Sequence, residues 1–212
     1  MNKLLRQRDT EIWLAARPWL DVRSNDEHTL ISYRLGIALL RVHPDVEADI
    51  VLPAILLHDV GWKMFSEEKL TLAIGPNAKY PELQRAHEIE SVRISRSELE
   101  RLGMAENYIG RIVAIVDGHD TRPRALSRED ALMKDADKLW RFTPHGIACL
   151  SDWFETPPKE TVAMLESYVT PKLITEAGRT MAQALLANGA ATAWVKDTLG
   201  LTPTYYAAGA EG

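Results

Sequence analysis

Apolar residues recur along this chain at helical spacing, and we find no convincing run in which apolar and polar residues alternate as in a half-buried strand. This spacing, punctuated by proline and glycine, predicts helices over residues 3–17, 26–42, 44–60, 81–103 and 104–116, a helix that carries Asp137, and one or two helices over 156–199 with breaks at Pro171 and Gly189. Ser24 and Glu27 have the spacing of a capping box for the second of these. The chain is therefore expected to be all-α.

The size and composition favour one soluble domain spanning residues 1–212. Hydrophobic residues make up 46% of the chain, which is enough for an ordinary core. The net charge of −5 argues against a nucleic-acid backbone as the main partner, whereas a small phosphorylated molecule needs only a few local cations. The longest apolar run, Ile50 to Leu57, is far shorter than the roughly 20 residues that cross a bilayer. The charged N-terminus also lacks the apolar stretch of a signal peptide. We therefore expect a cytoplasmic protein without a membrane partner.

Four of the six histidines and two aspartates fall in an order that suggests a metal centre. One histidine opens a predicted helix, a His-Asp pair ends an apolar helix in LLHDVG, and the others lie in RAHEIES, IVDGHD and KDADKLW. Each motif is on a different predicted helix or at its end, which is how a helical bundle builds a metal site in its interior. The six candidate ligands are His28, His58, Asp59, His87, His119 and Asp137.

Imidazole and carboxylate groups suit divalent transition metals such as Fe, Mn, Co, Ni and Zn, and Mg is also compatible with them. Neighbouring residues on a helix point about 100° apart, so His58 and Asp59 do not easily chelate one ion together. The pair works if the Asp59 carboxylate bridges two ions, since two metals about 3.5–4 Å apart activate a water between them. The pattern thus predicts one or two divalent ions.

Other residues near these motifs have structural explanations that compete with functional ones. His43 is expected in a loop or cap, and Cys149 is expected to be a small buried apolar side chain. His145 either lines the pocket or has a structural role. Asp135 and Asp137 point about 200° apart on one helix, so both are not expected to be direct ligands.

This set of motifs resembles the HD superfamily of metal-dependent phosphohydrolases over residues 26–146. The resemblance implies an HD-domain helical bundle there, with residues 156–199 as an additional helical annex. It implies that the first metal is held by His28, His58, Asp59 and Asp137. His87 and His119 resemble the two extra histidines of members with two metals. Asp137, directly before a basic and an apolar residue, matches the last ligand of the family better than Asp135 does.

The resemblance leaves the reaction open. Most members hydrolyse phosphoesters, so the leading expectation is a phosphatase or phosphodiesterase in which a metal-bound hydroxide attacks a small-molecule or nucleotide phosphoester. A smaller branch, which includes myo-inositol oxygenase and the enzymes that cleave aminophosphonates, uses two irons and dioxygen with the same ligands. Oxygenases similar to myo-inositol oxygenase have a substrate-binding lysine four residues after the HD histidine, where this chain has Trp62 and then Lys63. A third interpretation, a non-catalytic HD module that binds metal or ligand, is disfavoured by the intact set of six.

Several residues among or beside the candidate ligands are expected to act on the substrate. Asp59, Lys63 and Asp120 are expected to be catalytic, with Asp120 relaying a proton or holding an imidazole from beside His119. Lys63 is also the first candidate for phosphate contact, because the loop after the HD motif must pass the mouth of the site. The full set of candidate phosphate contacts is Lys63, Arg122, Arg124 and Lys138.

The C-terminal part of the chain gives two further expectations. Apolar positions within residues 156–199 either cover the core or pair with a second copy, so a homodimer is an expectation. The tail after Pro203 is expected to be mobile.

Overall fold

The computed structural model describes residues 4–75 and 77–200, and every regular element within these ranges is helical, which confirms the predicted all-α fold. The tail after Pro203 lies outside the described residues. None of the described helices is both long and apolar enough to cross a membrane. The α-helices are α1 (Thr10–Ala16), α2 (Asn25–Val42), α3 (Ala48–Leu57), α4 (Glu67–Leu70), α5 (Glu82–Arg101), α6 (Glu106–Val116), α7 (Arg128–Trp140), α8 (Pro144–Trp153), α9 (Pro158–Met164) and α10 (Glu176–Thr198). Short 3-10 segments lie at Gln7–Asp9, Arg17–Trp19, Val60–Met64, Thr71–Ala73 and Thr170–Lys172, and a π-helical segment at Leu165–Val169.

The chain divides into two compact units, with the boundary between Asp137 and Lys138 inside α7. The first unit contains α1 to α6 and most of α7, and the second contains α8, α9 and α10. The single domain with a core at 26–146 and an annex at 156–199 stays a prediction.

Helix α3 is the centre of the first unit. All of its residues from Ile50 to Leu57 are buried, and it packs against α1, α2 and α6. A helix that is apolar on every side needs neighbours on every side, which explains this central place. Pro53 neither starts α3 nor ends it, because the helix begins at Ala48 and continues through it. His58 and Asp59 therefore directly follow a helix whose last eight residues are all buried.

A close contact joins the residues after the HD motif to α5. The Gly61 N–H donates to Ser91 Oγ at 2.9 Å. A Cβ at Gly61 would lie 2.1 Å from the carbonyl oxygen of His87 and 2.6 Å from Ser91 N, both backbone atoms. Only glycine fits this approach, which holds the segment Val60–Met64 against the helix that carries His87.

The start of α2 differs from its prediction. Ser24 has a left-handed backbone with φ of 57° and forms no side-chain cap bond, so the expected capping box is wrong. The Glu27 N–H instead donates to Asp26 Oδ1 at 2.9 Å. The first predicted helix is also shorter than expected, since α1 begins at Thr10 after a 3-10 turn.

In the second unit, α8 was not predicted, although its start has a clear signal. The Thr143 side chain accepts a hydrogen bond from Gly146 N at 3.0 Å, and Pro144 follows the cap. The predicted break at Gly189 is wrong, because α10 continues through it. A Cβ at Gly189 would lie 2.2 Å from Ile147 Cδ1, so this glycine allows close packing of α10 on α8. Cys149 is buried, as expected.

Candidate metal centre

The structure brings the six candidate ligands together in the first unit. Four of them form one set: Nε2 of His28 and Nε2 of His58 lie 3.0 Å apart. Asp59 Oδ2 lies 3.4 Å from each of these nitrogens, and Asp137 Oδ1 lies 3.5 and 3.7 Å from them. Two donor atoms about 2.1 Å from a common ion are separated by about 3.0–3.6 Å at angles of 90–120°. The spacing of this set therefore fits one metal ion.

A second set lies on the other oxygen of the same carboxylate. Asp59 Oδ1 is 3.4 Å from His87 Nε2 and 3.3 Å from His119 Nε2, and these two nitrogens are 3.3 Å apart. Asp59 thus places one oxygen in each set, which is the bridging geometry that the adjacent His-Asp pair suggested. The donor atoms fit two neighbouring ions.

Backbone carbonyls fix how the imidazoles present their nitrogens. His58 Nδ1 lies 2.7 Å from the carbonyl oxygen of Ile55, and His119 Nδ1 lies 3.0 Å from that of Val116. His87 Nδ1 has a longer contact of 3.4 Å with the carbonyl four residues earlier. In the neutral form of these three imidazoles, an Nδ1–H that donates to the carbonyl leaves the lone pair on Nε2, the atom that faces the cluster.

The electrostatics of this buried cluster favour a cation. Burial lowers the pKa of His28, and it also opposes charge on His58, but Asp59 and Asp137 outweigh it there and raise the pKa of His58. Burial likewise disfavours the charged form of His119, yet Asp120 and Asp59 raise its pKa to about 9. The surrounding imidazoles overcome the effect of burial on Asp59 and hold its pKa well below the ordinary value. Protons or metal ions are the charges that match these carboxylates.

A match to a known protein family shows the family to which this chain belongs. The family described as HD domain matches residues 25–141, more than half of the chain. The chain belongs to the HD domain family. No curated protein and no solved structure was found to match it. HD domains bind divalent metals and are typically metal-dependent hydrolases, and the His/Asp clusters of this HD domain are able to hold a metal.

One face of the second set is covered by Trp62. Its ring stacks on the His87 ring with 3.9 Å between centroids and 11° between planes, and Trp62 is buried. The position four residues after the HD histidine is thus used in this HD domain to pack a candidate ligand. The sequence identified Trp62 by its distance from the HD histidine, whereas its stacking on the His87 ring is known only from the structure.

A buried carboxylate, Glu88, holds the turn that carries His119. Glu88 Oε1 accepts from the backbone N–H groups of Asp120 and Thr121, each at 2.8 Å, and Oε2 accepts from Thr121 Oγ1 at 2.6 Å. Arg85 donates to Oε2 at 2.9 Å. Sequence reasoning missed this residue, although its place directly after His87 could have suggested a supporting role.

A buried ammonium, Lys134, holds the same turn by its carbonyl groups. Its Nζ donates to the carbonyl oxygens of Gly118, His119 and Arg122 at 2.7, 2.8 and 2.9 Å. Gly118 has φ of 79°, which suits glycine where α6 ends and the turn begins. Lys134 was also missed, because a lysine one turn before Asp137 resembles an ordinary surface charge.

Two of the four cationic residues expected to contact phosphate have hydrogen-bond partners outside the set of candidate ligands. Lys63 Nζ donates to the carbonyl oxygen of Asp21 at 2.9 Å, and Arg122 pairs with the buried carboxylate of Asp130 at 2.9 Å. Arg124 is exposed in the loop before α7. Lys138 is partly buried and follows Asp137 on α7. Their roles toward a substrate stay predictions.

The structure also shows the surroundings of the other histidines and of Asp135, for which the sequence offered structural explanations. His43 follows α2 as its C-terminal cap, in agreement with its predicted role. His145 Nδ1 accepts from Trp140 Nε1 at 3.1 Å within the second unit. Asp135 is fully buried, while the neighbouring Asp137 is the carboxylate that meets His28 and His58.

Proposed function

We propose that this HD domain is a metal-dependent phosphohydrolase that cleaves a phosphoester of a small molecule or a nucleotide. The observation that carries the proposal is the position of Asp59, whose two carboxylate oxygens lie 3.3–3.4 Å from imidazole nitrogens on opposite sides. One carboxylate shared in this way suits a two-ion centre, in which two neighbouring ions activate a water for hydrolysis.

The residues divide into two donor sets under this proposal. Two imidazoles, one oxygen of Asp59 and the Asp137 carboxylate would hold the first ion, and two further imidazoles and the other Asp59 oxygen would hold the second. In the neutral imidazoles of His58 and His119 the backbone contacts favour the proton on Nδ1, so the lone pair of Nε2 would be available to a metal ion. A bound divalent pair supplies Lewis acidity and lowers the pKa of a water that it holds.

The charge of the site supports an anionic substrate. Two divalent ions bring four positive charges, and the two carboxylates among the six ligands remove two of them. The four neutral imidazoles leave this excess in place. A phosphoester that enters the site would therefore meet a net positive charge, which also stabilises the charge that grows on the phosphoryl oxygens in the transition state. We include Lys63, Arg122, Arg124 and Lys138 in the proposal as candidate phosphate contacts, each to be tested singly.

A di-iron oxygenase is the alternative with the same ligands. The stacking of Trp62 on His87 speaks against it, because this position holds a substrate-binding lysine in the oxygenases similar to myo-inositol oxygenase. The next residue, Lys63, donates to the carbonyl oxygen of Asp21. Phosphate release and oxygen consumption therefore have to be measured side by side.

The test starts from protein purified without oxygen and analysed for metal. Samples loaded with Mn²⁺, Co²⁺ or Fe²⁺ are screened for phosphate release from nucleotides and small phosphomonoesters, with oxygen uptake recorded in parallel. We expect phosphate release that Asp59→Asn lowers by about 100-fold or more. Asp45→Asn, which changes an exposed carboxylate paired with Arg128, serves as the control and keeps the activity. Oxygen uptake without phosphate release would identify the oxygenase, and neither activity would favour a non-catalytic module.

A further inference from the structure

The two sets of candidate ligand atoms differ in number, and a seventh residue lies close to the smaller set. The first set has four donor atoms, whereas the second has only His87 Nε2, His119 Nε2 and Asp59 Oδ1. Asp120 Oδ2 lies 3.8 Å from His119 Nε2. We infer that Asp120 is a direct ligand of the second metal ion, an inference that rests on the two-ion centre of the proposed function.

The distance between the Asp120 carboxylate and His119 Nε2 is close to that of two ligands of one ion. Ligand atoms of His87, His119 and Asp120 all lie within 4.8 Å of one another. The separation of 3.8 Å between Asp120 and His119 is close to the 3.7 Å between His58 and Asp137 in the first set. It exceeds the 3.0–3.6 Å expected around one ion by only a few tenths of an ångström. Rotation about the last side-chain torsion of aspartate, which is broad, covers that difference.

The backbone on both sides of Asp120 is fixed before any ion binds. Its own N–H donates to Glu88 Oε1 at 2.8 Å, and the carbonyl of the preceding residue, His119, accepts from Lys134 Nζ at 2.8 Å. Both Glu88 and Lys134 are buried. The backbone of Asp120 is thus held beside the second set before an ion binds, so ordering of the backbone adds little to the conformational entropy lost on binding.

This role differs in kind from the proton relay expected for Asp120. As a ligand it gives the second ion two imidazoles and two carboxylate oxygens, the same donor types as the first ion. It also removes one more positive charge, which leaves a smaller but still positive excess for an anionic substrate. A relay would change proton transfer and leave the binding of metal untouched, so metal affinity separates the two roles.

The test is a titration of metal-free protein with Mn²⁺, followed by the signal of free Mn²⁺ in electron paramagnetic resonance. The wild type is expected to bind two ions. Asp120→Asn and Asp120→Ala are expected to bind the first as the wild type does and the second at least about tenfold more weakly. The matched control is Asp117→Asn, which removes a half-exposed carboxylate three residues earlier that pairs with Arg85. It is expected to keep both ions.

The possible outcomes separate this inference from the proposed function. Unchanged affinity for two ions in Asp120→Asn overturns the ligand role while leaving the two-ion centre intact, and a loss of activity in that case assigns Asp120 to proton transfer. A wild type that binds fewer than two ions overturns both proposals. Retention of the first ion by the Asp120 variants shows that they are folded, so a selective loss of the second ion supports the inference.

Discussion

Lys134→Met tests whether a buried charge supports the His119 turn. The side chain is 3% exposed, and its Nζ donates to three carbonyl oxygens at 2.7–2.9 Å. Methionine keeps much of the length and the apolar stem but removes this donor. The carbonyls of His119 and Arg122 lose the hydrogen bond from the ammonium group, whereas the carbonyl of Gly118 still accepts from the Arg122 N–H. Each buried acceptor without a partner costs about 1–3 kcal/mol, and part of this is offset because the desolvation of an ammonium ion, worth several kcal/mol, is no longer needed. We expect a net loss of about 2–4 kcal/mol in the free energy of unfolding.

Two measurements check this expectation. Urea unfolding of the metal-free protein gives the loss of stability, with Lys159→Met, at an exposed position of α9, as a control that changes it by less than about 0.5 kcal/mol. Titration with Mn²⁺ is expected to show weaker binding of the second ion and unchanged binding of the first, because His28 and His58 lie outside this turn. A Lys134→Met protein as stable as the wild type, with the same affinity for both ions, would refute the supporting role.

Three further changes have defined outcomes. Asp137→Asn should reduce metal content at the first position more than Asp135→Asn does, and equal losses in elemental analysis would count against the assignment of Asp137. Gly61→Ala should lower the free energy of unfolding by about 2–4 kcal/mol, because its Cβ would meet backbone atoms of α5 at 2.1 and 2.6 Å; an unchanged urea midpoint would contradict this. Burial and a hydrogen bond to Asp9 raise the pKa of Tyr33 to about 12, so the folded state holds the phenol proton more tightly than the unfolded state does. The stability that comes from this protonated phenol is complete below about pH 10 and is lost as the pH rises through 12. At neutral pH the free energy of unfolding of Tyr33→Phe should therefore be lower than that of the wild type by about 1.5–3 kcal/mol. The difference between the two proteins should narrow in unfolding experiments above pH 10.

The helical class and the convergence of the ligands could be read from the sequence because both depend on local signals. Helical spacing identified α5 and α6 within a few residues, with Pro81 before the first and Gly118 after the second. Residue type and order selected the six candidate ligands, and the structure places them in contact. The bridging position of Asp59 followed from its adjacency to His58, since neighbours on a helix point in different directions.

Features that depend on distant contacts were missed. Glu88 and Lys134 look like solvated surface charges in the sequence, and their burial is set by a turn more than ten residues away. Gly189 was interpreted as a break because its packing partner, Ile147, lies on another helix. Ser24 has a residue type that is common at helix N-caps. Its backbone is left-handed, however, and its side chain forms no capping hydrogen bond to α2.

Closeness in sequence did not indicate which acceptors Lys63 and Arg122 contact in the structure, for a similar reason. Arg122 is three residues after His119, yet its guanidinium pairs with Asp130 and donates to the carbonyl of Asp117. Lys63 follows the HD motif but donates to Asp21. The direction of a long side chain depends on which acceptors the fold brings near it, and spacing along the chain does not encode that.

Anomalous diffraction from crystals soaked in Mn²⁺ tests the two-ion centre most directly. We expect two peaks about 3.5–4 Å apart, one beside His28, His58 and Asp137 and the other beside His87 and His119, with one oxygen of Asp59 on each. A single peak, or two peaks that Asp59 does not join, would contradict the shared carboxylate from which the proposed chemistry follows.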